Sequence, residues 1–447
     1  MASDATQSQT QDGKIGVGLA AMLVAGNMIG SGVYLLPAVL ASVGGISLLG
    51  WGLALLGALL LATMFTGFAH YDLDAPSQEG LVGRIADGLG PFWGYQAAAL
   101  YSVGCWVGNV AIALAVTGYS SSFVPALRHP GASLGFTIAM LLLMTGLNIF
   151  GSRLVGKLQA ATLLIGLAPV LLIAVAGWAV FRPALFASQW NVGGHSPGQV
   201  LSATMLPIFW AFLGLESATV CAVRVRDPRR NIARATIIGV AIAGIIYAAA
   251  CVVLLGILPA KALAASSAPF ADGAQAVLGL GLGTVVALCA MTRASGTLAG
   301  WILVAAETAQ SAAAAGLFPK ALALPGPKAT ARTLLVMALI MTAIALASAA
   351  PALAQQFATL IDVAVLVSLC MYILSAAALW RLSRREQSRG RRLFIRAACG
   401  LSIVFCAGVL VTSAPTLLVW TGAVAAVAAL AYLAARRAQA RTAKVSI

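Results

Sequence analysis

Glu216 sits in the apolar run LPIFWAFLGLESATV, where no water would solvate a carboxylate. An ionisable side chain in such a run is costly and therefore points to function. Three tasks suit it: accepting a proton, pairing with a cationic substrate group, or hydrogen bonding a gating tyrosine. A structural carboxylate that accepts backbone N–H groups at a half-helix start is the plain alternative. Tyr101 and Tyr372 also lie inside apolar runs. Their hydroxyls need partners at depth, and a gate is one solution. Trp106, Trp210 and Trp301 are deep as well, although membrane tryptophans mostly gather at the interfaces. Together they suggest an aromatic cavity that holds an organic cation by cation–π contact, with bulky core packing as the alternative. Asn109 follows Tyr101 by two helical turns on about the same face, so its amide could reach a distal substrate group or a neighbouring helix. Arg293 and Asp362 are the remaining charges at depth. They could form a buried pair, or either could face the substrate or coupling-ion route; the sequence does not rank these options. Arg153 and Lys157, at the start of the fifth run, read as cytoplasmic anchors, with a weaker reading in which a basic group there replaces a coupling sodium ion.

The backbone offers chemistry too. GNMIGSGVYLLP, residues 26–37, places three glycines, an asparagine, a serine and a proline in the first apolar run. Glycine costs about 1 kcal/mol per interior helix position, so this stretch is expected to unwind. A second interruption, Gly214 beside Glu216, falls in the sixth run, five runs later. Interruptions at matching positions of two five-helix halves point to inverted repeats with the substrate site at the breaks. An unwound segment bares N–H groups that favour an anion and carbonyls that favour a cation. Such a pocket suits an α-amino acid. Close helix packing through small residues is the alternative for GSG alone.

These residues need helices to carry them through a bilayer. The chain has 447 residues, 61% of them hydrophobic and 9% charged. Its mean hydropathy is +0.97. Runs long enough to cross a hydrocarbon core lie near 16–40, 45–68, 90–123, 132–150, 155–180, 198–220, 233–258, 274–309, 333–350, 355–381, 394–413 and 415–435. They make twelve expected transmembrane helices in an all-α membrane protein. The net charge of +15 does not signal nucleic acid. With a cytoplasmic N-terminus, every Lys and Arg except Arg128, Arg182, Lys261 and Arg293 falls on the cytoplasmic side, as the positive-inside rule requires. Neither basic loop, 224–234 or 381–396, carries a nucleic-acid recognition fold. Seven cysteines in or beside apolar runs show no CxxC and no Cys/His cluster, so neither a metal site nor a disulfide framework is expected. His70, His129 and His195 are expected in loops, as solvated side chains. No nucleophile–base pairing suggests an enzyme, and no cofactor is expected.

Four stretches now carry a family resemblance: VAGNMIGSGVYLLPAVLASVGGISLLGW, GPFWGYQAAALYSVGCWVGN, FWAFLGLESATV followed by RDPRRNI, and SAPFADGA. They resemble the amino acid–polyamine–organocation transporters, above all the basic amino acid/polyamine antiporters that exchange arginine for agmatine or lysine for cadaverine. The resemblance implies a LeuT-type fold with 5+5 inverted repeats, over about 15–181 and 197–382 of a ten-helix core at 15–382. Helices 11 and 12 would occupy 383–436, between cytoplasmic tails at 1–14 and 437–447. It further implies an inner-membrane location among lipids, often a homodimer, and a small amino acid or amine as substrate. By resemblance, Gly30, Ser31 and Gly32 receive the substrate carboxylate, with Asn27 just before them and Ile29 and Cys105 in the same pocket. Trp210 stacks on the substrate side chain, Trp301 forms the opposite wall and Asn109 meets the distal group. Tyr101, Glu216 and Tyr372 match the gate and proton-sensing cluster. Arg293, Asp362, the loop SQEGLVGR and Met371 before Tyr372 depart from the family pattern. A cation near the pocket would disfavour a dicationic amine unless Asp362 neutralised it.

Overall fold

A computed structural model describes residues 16–28, 30, 32–74, 80–216, 227–318, 327–350 and 352–445. Helix is the only extended regular structure among them. The first apolar run forms two short helices, α1 (Val17–Met28) and α2 (Gly32–Ala41). Then come α3 (Leu48–Asp74), α4 (Gly80–Leu89), α5 (Pro91–Ser120), α6 (Pro130–Ile149) and α7 (Ser152–Leu171). They are followed by α8 (Pro183–Ser188), α9 (Pro197–Trp210), α10 (Pro228–Ile257), α11 (Ala260–Ala264) and α12 (Pro269–Leu278). The chain ends with α13 (Leu280–Ala314), α14 (Pro327–Ala347), α15 (Leu353–Leu382), α16 (Arg389–Val411) and α17 (Pro415–Val445). Among the described residues, ten helices are long and apolar enough to cross a membrane. The other two expected spans are the two interrupted runs, which appear as the shorter α1, α2 and α9.

Local sequence sets where these helices begin. Proline at the first helical position of α5, α6 and α9 removes an N–H that would otherwise lack a partner. Ser196 and Gln199 complete a reciprocal capping box at the start of α9. The breaks follow from glycine. Gly30 N–H turns back onto the Met28 carbonyl at 2.7 Å, and the helix resumes only at Gly32. Beyond Trp210, three successive N–H groups bond three residues back, and Gly214 has a φ of 98°. A side chain is strained at that φ, which glycine adopts freely.

Helix α13, 35 residues long, packs against α5 and α7, and α5 in turn packs against α15. Small residues let α13 and α7 close. A Cβ at Gly300 would lie 2.6 Å from the Gln159 side-chain carbon. One at Gly296 would overlap the Thr162 hydroxyl, and one at Gly166 would overlap the Arg293 stem. Without a hydrophobic drive between helices in lipid, such close contact supplies the packing energy. By contrast, the apolar stretch of α17 is mostly exposed on the outside of the bundle.

The α13–α7 seam can be tested against an exposed position. Gly300→Leu should lower the melting temperature of the purified protein by several degrees, since overpacking costs about 1–3 kcal/mol. Gly52→Leu on α3, where nothing lies within 4 Å of a new Cβ, should leave it unchanged. Equal melting temperatures for the two variants would refute the seam.

Candidate functional site

Both breaks open on one small cavity. Helix α5 supplies one wall through Tyr101, Gly104, Cys105, Gly108, Asn109 and Ile112. Their spacing by three and four residues puts them on one helical face. Trp106 falls off that arc, is not in the wall and is half-buried elsewhere, which corrects its expected place in the aromatic cavity. Met28 and Gly30 come from the first break, and Trp210, Leu213 and Glu216 from the second. Thr297 and Trp301, one turn apart on α13, and Ser368 on α15 complete the lining.

Glu216 is held from three sides. Tyr101 Oη donates to Oε1 at 3.1 Å, and Tyr372 Oη donates to Oε2 at 2.6 Å. Gly214 N–H also donates to Oε2, at 3.2 Å. The expected tyrosine cluster and the backbone-capped carboxylate are thus one arrangement. Phe65 packs edge-on to the Tyr372 ring at 5.2 Å, which fixes that ring in place.

The tryptophans frame the cavity by pressing on glycines. Trp210 covers Gly108, where a Cβ would meet its ring at 3.1 Å. Trp301 covers Gly214 at 3.3 Å from the same kind of added atom. Several polar atoms here have no partner among the described residues: both amide atoms of Asn109, the Trp210 indole N–H and the Thr297 hydroxyl. Buried polar groups are ordinarily hydrogen-bonded, so this set marks where a polar guest would bond.

The remaining candidates are dispersed. Ile29, Ser31 and the Asn27 side chain lie outside the described residues, and Gly32 opens α2. Arg293 and Asp362 do not pair. The Arg293 guanidinium donates to the Gly26 carbonyl at 2.9 Å and to the Gln159 carbonyl at 3.4 Å, on α1 and α7. Asp362 faces another cavity, beside Ser202, Leu206 and Pro207 of α9 and the turn at Thr412–Pro415. The two charges point at different helices. The expected repulsion of a dicationic amine also weakens, because Thr297 and Trp301, not Arg293, form the wall. Arg153 and Lys157 are exposed, so neither replaces a buried ion. Cysteines 105, 251, 289, 370, 399 and 406 are free, and no described His/Cys/Asp/Glu group could hold a metal. Sequence reasoning missed Thr297 and Ser368; the spacing of Thr297, four residues after Arg293 and four before Trp301, was the available signal.

Comparison with known proteins places the chain in a family. The chain is 34% identical over 400 residues to the cadaverine/lysine antiporter of Escherichia coli K12, covering 88% of each chain. It is 32% identical over 375 residues to the putrescine transporter PotE of the same strain, covering 83% of this chain and 84% of that one. The putrescine transporter PotE of Haemophilus influenzae is 31% identical over 374 residues. These relatives are transporters and not enzymes. The pattern described as amino acid permease matches residues 15–435, so the chain belongs to the amino acid permease family.

Proposed function

We propose that this protein exchanges a cationic amino acid for its decarboxylated amine across the inner membrane, by alternating access. Decarboxylation consumes a proton, so trading its substrate for its product removes acid from the cell. The observation that carries the proposal is the cavity where both broken helices meet, lined by two tryptophans, a triply held carboxylate and unpartnered polar atoms. The lysine, cadaverine and putrescine named for the relatives are amines of this class.

In this reading Gly30, Ser31 and Gly32 receive the substrate carboxylate, drawn by the partial positive charge at the start of α2. Its side chain lies between Trp210 and Trp301, and Asn109 bonds the distal nitrogen. Glu216 senses the proton. A charged carboxylate accepts from Tyr101 and Tyr372 together, whereas a protonated one gives up acceptor capacity and loosens one tyrosine. The full architecture is twelve spans with inverted repeats over about 15–181 and 197–382, both termini cytoplasmic. The close-spaced breaks and the positive-inside charge pattern support it.

Counterflow in proteoliposomes tests the exchange: uptake of labelled lysine or arginine should require cadaverine, putrescine or agmatine inside. Uptake into vesicles lacking internal substrate would instead support a proton-coupled or uncoupled importer. Trp210→Ala and Trp301→Ala should each weaken substrate binding about tenfold or more, consistent with about 2 kcal/mol for a desolvated cation–π contact. Unchanged affinity in calorimetry would remove the tryptophan from the pocket. Glu216→Gln should flatten the pH dependence of exchange, and a profile like that of the parent protein would eliminate Glu216 as the sensor.

A further inference from the structure

The carbonyls ending an interrupted helix inside a membrane carry partial negative charge and lack intrahelical partners. In transporters built this way, that end is where a coupling cation is held. Here Met28 O is taken by Gly30 N–H, while Gly26 O, in the same last turn of α1, receives the Arg293 guanidinium at 2.9 Å. The guanidinium comes from α13, is 1% exposed, and also reaches the Gln159 carbonyl on α7. Its stem lies against Gly166, where no other residue would leave it room. Gly166 is itself fixed: its carbonyl accepts from the Tyr34 hydroxyl of α2 at 2.6 Å. The arginine therefore sits in a site built on both sides of the first break.

We propose that Arg293 is a covalently tethered cation that holds the carbonyl end of α1 in place of a mobile coupling ion, and is thereby a positioning residue for the break. The proposal rests on the carrier reading above. A guanidinium keeps its proton across the pH range of a cell, so this charge stays in place through the transport cycle. Its planar fork reaches two carbonyls at once, which an ammonium does less well. Removing it uncovers the oxygens of Gly26 and Gln159, near the unpartnered Thr297 hydroxyl one turn along α13. Hard oxygen donors of this kind suit an alkali cation.

The test uses the full-length protein with sodium chloride or choline chloride of equal ionic strength. Lysine/cadaverine exchange by the parent protein should agree within about twofold in the two salts. Arg293→Ala should lose at least about tenfold of its exchange in choline, with part of it restored by sodium. Sodium should also raise the melting temperature of purified Arg293→Ala by several degrees and leave that of the parent unmoved. Arg293→Lys should retain exchange in choline and show no sodium shift. A parent protein that needs sodium, or an Arg293→Ala protein indifferent to sodium in melting, overturns the proposal. If Arg293→Ala does not purify, a sodium shift in the melting of Arg293→Lys or the parent overturns it, and insensitivity of both upholds it. Melting is read without transport. Absence of all exchange by the parent in both salts would therefore sink the carrier reading, while the sodium response still decides the role of Arg293.

Discussion

A backbone that leaves the helix inside a membrane must find partners for its freed N–H and C=O groups within the protein, because lipid offers none. Much of this structure answers that one constraint. Each break faces the same surface of α13, where Arg293, Thr297 and Trp301 recur every fourth residue. Arg293 bonds the carbonyl of Gly26, Thr297 presses on Gly30 and Trp301 covers Gly214. One helix face thus braces both interruptions, and the cavity is what remains between them.

That bracing demands close approach. A side chain at position 297 can reach Gly30 only if α13 lies tight on its neighbours. Gly296 and Gly300 provide this against α7 by leaving room for Thr162 and Gln159. Gly104 and Gly108 play the same part on α5, opposite Val367 and Trp210. The glycines that unwind helices and those that pack them are therefore distinct sets, separated by backbone geometry. Gly214 has a positive φ, while Gly296 and Gly300 sit within a continuous helix.

Glu216 shows how a carboxylate is tolerated at depth. Two phenolic hydroxyls and a backbone N–H replace the water it lost, and they come from three segments, α5, α15 and the second break. A group so held links those segments, and a change in its charge alters all three contacts at once. The contrast with Asp362 is instructive. That carboxylate keeps one oxygen without a partner and lies in a separate cavity toward the α16–α17 turn. The same functional group thus has different surroundings at the second break and beside the α16–α17 turn.

Much was legible in the order of residues. Apolar length and sparse charge dictate membrane-spanning helices, because the hydrocarbon core admits little else. Three clustered glycines marked the first break and Gly214 beside Glu216 the second, since the cost of glycine in a helix is local. The grouping of Tyr101, Glu216 and Tyr372 followed from the family resemblance, and the two tyrosines both donate to the carboxylate. What linear order could not decide was which distant residues share a space. Trp106 was expected in the cavity and lies off its wall; Thr297 was overlooked and lines it. Arg293 and Asp362 looked like a candidate pair, yet face α1 and α7 in one case and α9 in the other. The rotation of each helix about its axis decides such contacts. Packing across many helices sets that rotation, and in uniformly apolar segments no polar face exists to announce it beforehand.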